Sequence, residues 1–254
     1  MLVHAWAKVG KTTLGSTAPA PILVLDAEGG WRFIRSFGRG GKPAVVVHWN
    51  PMNEPTPRRT AENPIDIVIV TVRDWTVLGR VYTMLTQAPH DFQSVIVDSI
   101  TEIQRRCKQS LVGSEDMQRE NWGRLLVLMD NMIRSYRDLV LIDTIPTRFV
   151  LFIAETRVKP NSPRQVPTMQ GQIEGSLPYW VDACGYLFVE EALDPTDPEL
   201  KRTITLRRML IGTHPMYEAG NRLAGILPDI IDSPDISRMF CEIYGDECIE
   251  GVNA

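Results

Sequence analysis

The sequence predicts an α/β fold: a mostly parallel central sheet flanked by helices, with antiparallel strands added toward the C-terminus. Three observations predict it. Short, β-branched apolar runs recur along the chain, as expected of parallel strands buried on both faces. Stretches with apolar residues at helical spacing separate these runs, as covering helices require. After residue 182 the style changes to two strand-like runs joined by a proline-rich turn.

The elements follow in order. Leu2-Val3-His4 is a short apolar run that leads into a glycine-containing loop and a segment able to start a helix. The loop comes unusually soon after Met1, so the first strand is expected to be cut short. Pro21–Asp26 reads as a buried strand, and Trp31–Phe37 as a short helix ended by the Gly38, Gly40 and Gly41 cluster. Ala44–His48 is a strand, Pro51–Pro64 a polar loop with four prolines, and Ile65–Val72 a β-branched strand. Trp75–Gln87 places Trp75, Leu78, Val81 and Leu85 on one helical face. Ser94–Asp98 is a buried strand, followed by helices over Ile100–Leu111 and Glu120–Tyr136. Phe149–Ala154 is a further buried strand, and Gly185–Glu190 and Arg202–Ile211 extend the sheet in antiparallel fashion.

Composition bounds the reading. A chain of 254 residues, 44% hydrophobic and 23% charged, suits one large domain with at most a small appendage. No apolar stretch approaches the ~20 residues that span a bilayer, and the expected location is the cytoplasm. Cys107, Cys184, Cys241 and Cys248 lack metal-site spacing and are expected to be reduced, mostly buried thiols. Net charge is −4, but residues 229–254 hold seven acids and one base, which leaves residues 1–228 at +2. The expected division is therefore a core over 1–228 and an acidic segment over 229–254. Such a segment can compete with a polyanion for the body of the protein.

The chemistry centres on Ala5-Trp-Ala-Lys-Val-Gly-Lys-Thr-Thr13, a phosphate-binding loop in which Ala5 stands at the first glycine of G-x-x-x-x-G-K-[ST]. Residues Ala7, Lys8, Val9, Gly10, Lys11, Thr12 and Thr13 would cradle the phosphates of ATP. Lys11 would reach the β- and γ-phosphates, and the Thr12 hydroxyl would ligate Mg²⁺. Asp98 ends an apolar strand, where a carboxylate can face that Mg²⁺. Glu28, in Asp26-Ala-Glu-Gly-Gly30, is placed to activate a water in line with the γ-phosphate. Glu155 ends another central strand, at a position suited to sensing the γ-phosphate. The segment after it, Arg157–Ile173, holds Arg157, Lys159 and Arg164, three prolines and no acid. It suits contacts to a phosphate backbone, and with no aromatic residue its binding would be led by that backbone.

In this order the motifs resemble the RecA-type recombinase core. More narrowly, A-x-A-K-V-G-K-T-T, L-D-A-E-G-G, V-D-S-I-T-E-I, E-N-W-G and N-R-L-A-G-I-L-P resemble phage-encoded RecA-like ATPases of single-strand annealing and recombination. The resemblance covers roughly residues 2–230. It implies a RecA-like P-loop NTPase core that hydrolyses ATP at subunit interfaces of a ring or filament. It also implies single-stranded DNA as a partner, with a single-strand-binding protein as a further one. Glu155 falls where recombinases carry a glutamine sensor. Arg207 and Arg208, with Arg222 behind them, match the region from which recombinases reach a neighbour's ATP. Two other readings stay open. One is a nucleotide-gated DNA-binding scaffold or loader with little turnover. The other is a small-substrate P-loop kinase, with Arg39, Lys42, Arg58 and Arg59 on a lid.

Overall fold

The computed structural model describes residues 1–36, 43–194, 196, 202–223 and 225–245. Their strands form one sheet, built outward from β1 (Leu2–Ala5). On one side of β1 lie β6 (Phe149–Val158), β5 (Ser94–Asp98), β2 (Ile22–Asp26), β4 (Ile67–Thr71) and β3 (Val46–His48). On the other lie β8 (Ala183–Leu193), β9 (Thr203–Leu210) and β11 (Ile230–Asp232). The strands from β8 through β3 all run parallel. β9 and β11 run antiparallel, β10 (Gly220–Asn221) pairs antiparallel with β8, and β7 (Gln165–Pro167) with β6. One expectation is corrected here: β8 joins β1 in parallel, and the antiparallel part begins only at β9. The crossover that permits this is α5 (Ile173–Trp180), between β7 and β8.

Period-2 alternation divides the core. Leu2, Leu23, Leu25, Val95, Val97 and Phe152 face α2 (Thr76–Gln87), α3 (Ile100–Val112), α4 (Arg119–Arg137) and α5. Val3, Ala5, Val24, Ile96 and Ile153 face α1 (Lys11–Gly15), a 3₁₀ turn over Gly30–Ser36, and α6 (Ile236–Tyr244). Two caps set helix starts: the Ser99 side chain accepts from the Glu102 amide at 3.2 Å, and Asp235 from the Arg238 amide at 2.9 Å.

Residues 230–232 and 236–244 pack against this core. β11 pairs with β9, and the Ser237 hydroxyl donates to the Thr17 carbonyl at 2.6 Å. Residues 246–254, with Cys248, lie outside the described residues. Cys107 and Cys184 are buried free thiols that burial pushes up to about 12. Cys241 is disulfide-bonded, against the expectation of a reduced thiol there.

His4 ties β1 to its surroundings. It is fully buried, and its Nδ1 lies 2.8 Å from the Thr156 hydroxyl and its Nε2 2.8 Å from the Glu218 carbonyl. A carbonyl only accepts, so Nε2 carries the proton and Thr156 donates to Nδ1. Burial lowers its pKa to about 4, with the Lys11 charge adding to the shift and the Glu218 carbonyl opposing it. The unfolded side chain takes up a proton near pH 6.5 and the folded one near 4. Within that window the unfolded chain binds more protons, so stability from His4 falls as pH drops from 6.5 to 4, by about 3 kcal/mol. Asp98, whose pKa is raised to about 7, works in the opposite sense. His4→Gln supplies one acceptor and one donor in place of the ring nitrogens and does not titrate. In denaturant titrations across this window, wild type should lose stability relative to His4→Gln as pH falls; parallel curves would refute the assignment.

Candidate active site

The phosphate loop leaves the C-terminal end of β1, between the parallel strands β6 and β8. Ala5 is the last residue of β1, in register with Glu155, and is fully buried. Strand geometry there explains why an alanine serves where the pattern has glycine. The turn is made later, by two left-handed residues: Lys8 at φ 63° and Gly10 at φ 102°. Lys11 opens α1, and its Nζ donates to the Ala5 and Trp6 carbonyls, each at 3.2 Å. The ammonium therefore lies across the loop's own backbone.

Three strands bring carboxylates to this loop. Asp26 and Asp98 sit in register at the ends of β2 and β5. Asp26 is spent on its turn, accepting from the Gly29 amide at 2.7 Å and the Trp31 amide at 3.4 Å. Asp98 is 3% exposed; its Oδ2 accepts from the Trp31 indole at 2.8 Å and from the Thr12 hydroxyl at 3.5 Å. Burial raises its pKa to about 7, helped by the nearby charges of Glu28 and Asp26 and opposed by the Trp31 donor and Lys11. Glu28 is exposed on the following turn, and the Ser99 hydroxyl donates to its Oε1.

Glu155 is paired. Arg105 of α3 grips it with two hydrogen bonds, Nη1 to Oε1 at 3.1 Å and Nη2 to Oε2 at 2.8 Å. The Glu155 amide donates to the Thr101 hydroxyl at 3.0 Å. The carboxylate thus faces a cation, which removes the repulsion an unpaired acid would present to a phosphate.

The segment expected to be a loop is instead a short hairpin, β6 running back through β7. Two of its three cations already have partners: Arg157 pairs with Glu174, and Arg164 with Glu218 at 3.2 Å. Lys159 is exposed. The hairpin is tied to the phosphate loop, because the Trp6 indole donates to Gln165 Oε1 at 3.0 Å. Beside it runs residue 217, bridged to Gln165, whose ring stacks on Tyr186 at 4.5 Å. Tyr186 in turn stacks on Phe188 at 5.9 Å.

The arginines expected to serve a neighbour have partners in their own chain. Arg207 Nε donates to the Val9 carbonyl of the phosphate loop at 2.9 Å. Arg208, on the other face of β9, pairs with Glu190 at 2.8 Å and Asp232 at 2.7 Å. Arg222 pairs with Asp182 at 3.1 Å and Arg58 with Asp91 at 2.9 Å. Arg59 donates its amide to Asp91 at 3.0 Å; Arg39 and Lys42 lie outside the described residues. An apolar cavity of about 530 Å³ opens at the far end of the sheet, by Met1, Phe149, Leu227 and Phe240, away from this chemistry.

A family profile described as an AAA domain matches residues 1–223. The chain belongs to the AAA-domain family. It is an AAA-type P-loop ATPase domain, and the matched residues include the loop described above. No curated protein sequence matches it. Among solved structures, the AAA domain is similar to an ATPase from the type III secretion system of pathogenic bacteria, at 13% identity and a TM-score of 0.39. That similarity covers 74% of this chain and 51% of the other, so the chain spans about half the length of that ATPase. No described helix is long and apolar enough to cross a membrane.

Four residues of the site carry roles that motif spacing did not assign: Trp6, Trp31, Ser99 and Arg105. Ser99 directly follows Asp98, and Arg105 lies three residues after Glu102 on one helix face, so local signals existed for both. Trp31 reaches Asp98 only through the fold. Lys11 packs into no core cluster, so Lys11→Ala should leave the unfolding transition in place and abolish nucleotide binding or turnover. Equal nucleotide affinity and turnover in variant and wild type would overturn the phosphate-loop assignment.

Proposed function

We propose that this domain is an ATP-dependent single-stranded-DNA-binding and annealing ATPase of phage recombination, working as a homo-oligomer in the host cytoplasm. The observation that carries the reading is the Trp6–Gln165 hydrogen bond, because it links the phosphate loop to the cation-bearing hairpin. ATP would lie along residues Ala7–Thr13, with Lys11 at its β- and γ-phosphates. The Thr12 hydroxyl and the Asp98 carboxylate are hard oxygen donors 3.5 Å apart, which fit Mg²⁺. When bound, Mg²⁺ supplies charge neutralisation at the transferred phosphoryl group. Glu28 takes the proton of the attacking water on Oε2, while the Ser99 hydroxyl donates to its Oε1. Glu155 acts through Arg105, whose guanidinium stands at the sensor strand in place of a neutral amide. The stacked Tyr217, Tyr186 and Phe188 pack on one another as a small core cluster beside the hairpin, so DNA binding there would be led by the phosphate backbone.

A gel shift on single- and double-stranded DNA with ATP or ADP, at two salt concentrations, tests this reading. ATP should tighten single-strand binding, and Trp6→Phe should keep ATPase activity while losing that nucleotide dependence. No DNA binding in any nucleotide state would refute it.

Glu28→Gln should keep ATP binding and lose about 10²–10⁴-fold in turnover. Turnover within about twofold of wild type would place the base elsewhere. For the hairpin, Lys159→Ala should flatten the log–log salt dependence by about 0.7, the slope of one single-strand phosphate contact. Adding Arg157→Ala and Arg164→Ala should flatten it further, by less than a full contact each, since Glu174 and Glu218 already neutralise them. An unchanged slope in the triple variant would move the DNA site off this hairpin.

A further inference from the structure

The Arg207 contact assigns this residue a different task from a neighbour's finger. β9 pairs with β8 so that Arg207 lies opposite Val189 and Met209 opposite Leu187. Met209 and Leu187 belong to the core on the α1 face, and alternation along β9 puts Arg207 on that same face. Its backbone is fixed from the other side, where its carbonyl accepts from the Ser233 amide at 2.8 Å. From this anchored position the side chain crosses to the phosphate loop of its own chain and donates to the Val9 carbonyl at 2.9 Å. The guanidinium also covers Gly10: a Cβ there would lie 2.5 Å from Arg207 Nε and Nη2.

The contact has a directional consequence. In a planar trans peptide the carbonyl and the following amide point opposite ways. Holding the Val9 carbonyl on Arg207 turns the Gly10 N–H to the opposite side of the loop. Phosphate loops bind anions through such amides, and a peptide free to flip would present its carbonyl instead. We propose that Arg207 is a cis-acting positioning residue: it clamps the Val9–Gly10 peptide of its own phosphate loop and so holds the Gly10 amide toward a bound nucleotide's phosphate. Gly10 is then required twice, for its left-handed backbone and for the space the guanidinium occupies. The inference needs the loop to bind nucleotide, and it does not depend on DNA being a partner.

Two readouts separate a cis clamp from a trans finger. The first is equilibrium binding of ADP and ATP to Arg207→Gln, beside kcat and KM. A clamp acts on the loop whatever the nucleotide, so both affinities should fall by roughly tenfold or more, the scale of one charge-assisted hydrogen bond. Arg207→Lys, which keeps a cation able to reach the carbonyl, should recover part of both. Unchanged ADP affinity with a loss confined to kcat would overturn the proposal, because that is the signature of a finger acting on the reacting phosphate. The second readout is mixing Arg207→Gln with Lys11→Ala at concentrations where wild type is fully active. A cis clamp leaves no subunit with both groups, so the ATPase rate should stay at the sum of the two variants. A rate above that sum overturns the proposal. Should Arg207→Gln fail to fold, Arg207→Lys takes its place in both measurements, with a smaller loss in both affinities and again no complementation. A Lys11→Ala variant that binds nucleotide normally would instead refute the phosphate loop itself.

Discussion

Everything in the site depends on β1 being buried on both edges and both faces. The strand is only four residues long, yet it is flanked in parallel by β6 and β8 and sealed by core clusters above and below. Its end is therefore fixed in space by two neighbours rather than by its own length. The loop that follows places two residues, Lys8 and Gly10, in the left-handed region. His4 adds a polar tie inside this apolar setting, joining β1 to β6 through Thr156 and to the segment before β10 through Glu218.

The second constraint is the pairing of charge. Glu155, Arg157, Arg164, Arg208 and Arg222 all have partners of opposite sign within the chain. Most of these pairs are partly exposed and add little to stability. Their effect is to fix which groups remain for a ligand. Around the phosphate loop these include Lys11, resting on carbonyls, and the carboxylates of Asp98 and Glu28, held by a hydroxyl, an indole and a second hydroxyl. Neutral donors hold these acids in place.

Much of this was legible in the sequence because it is local. Buried β-branched runs marked β2, β4, β5 and β6, and apolar residues at helical spacing marked α2, α3 and α4 to within a few residues. Of the residues singled out in the sequence, the Thr12 hydroxyl lies 3.5 Å from Asp98, and Glu28 is held by Ser99, the next residue after Asp98. What sequence could not carry is distance. β7 is three residues ending in a proline, and its partners on the far side come from residues 216–218, so it reads as a loop until the chain folds. Glu218 lies 54 positions after Arg164 and Glu174 17 after Arg157, beyond any helical or strand period. Alternation alone says that Arg207 and Arg208 face opposite ways. Which of them meets the phosphate loop is decided by β8 lying parallel beside β1, a fact absent from the local pattern of β9.

The contact between Trp31 and Asp98 has a use outside chemistry. The indole is fully buried, wedged where a side chain on Gly15 would touch it, and its only polar atom points at the buried carboxylate. An indole's absorption and emission respond to charge at its ring nitrogen. The protein therefore carries an unlabelled optical gauge of that carboxylate, and replacing the other tryptophans, at residues 6, 49, 75, 122 and 180, would isolate its signal.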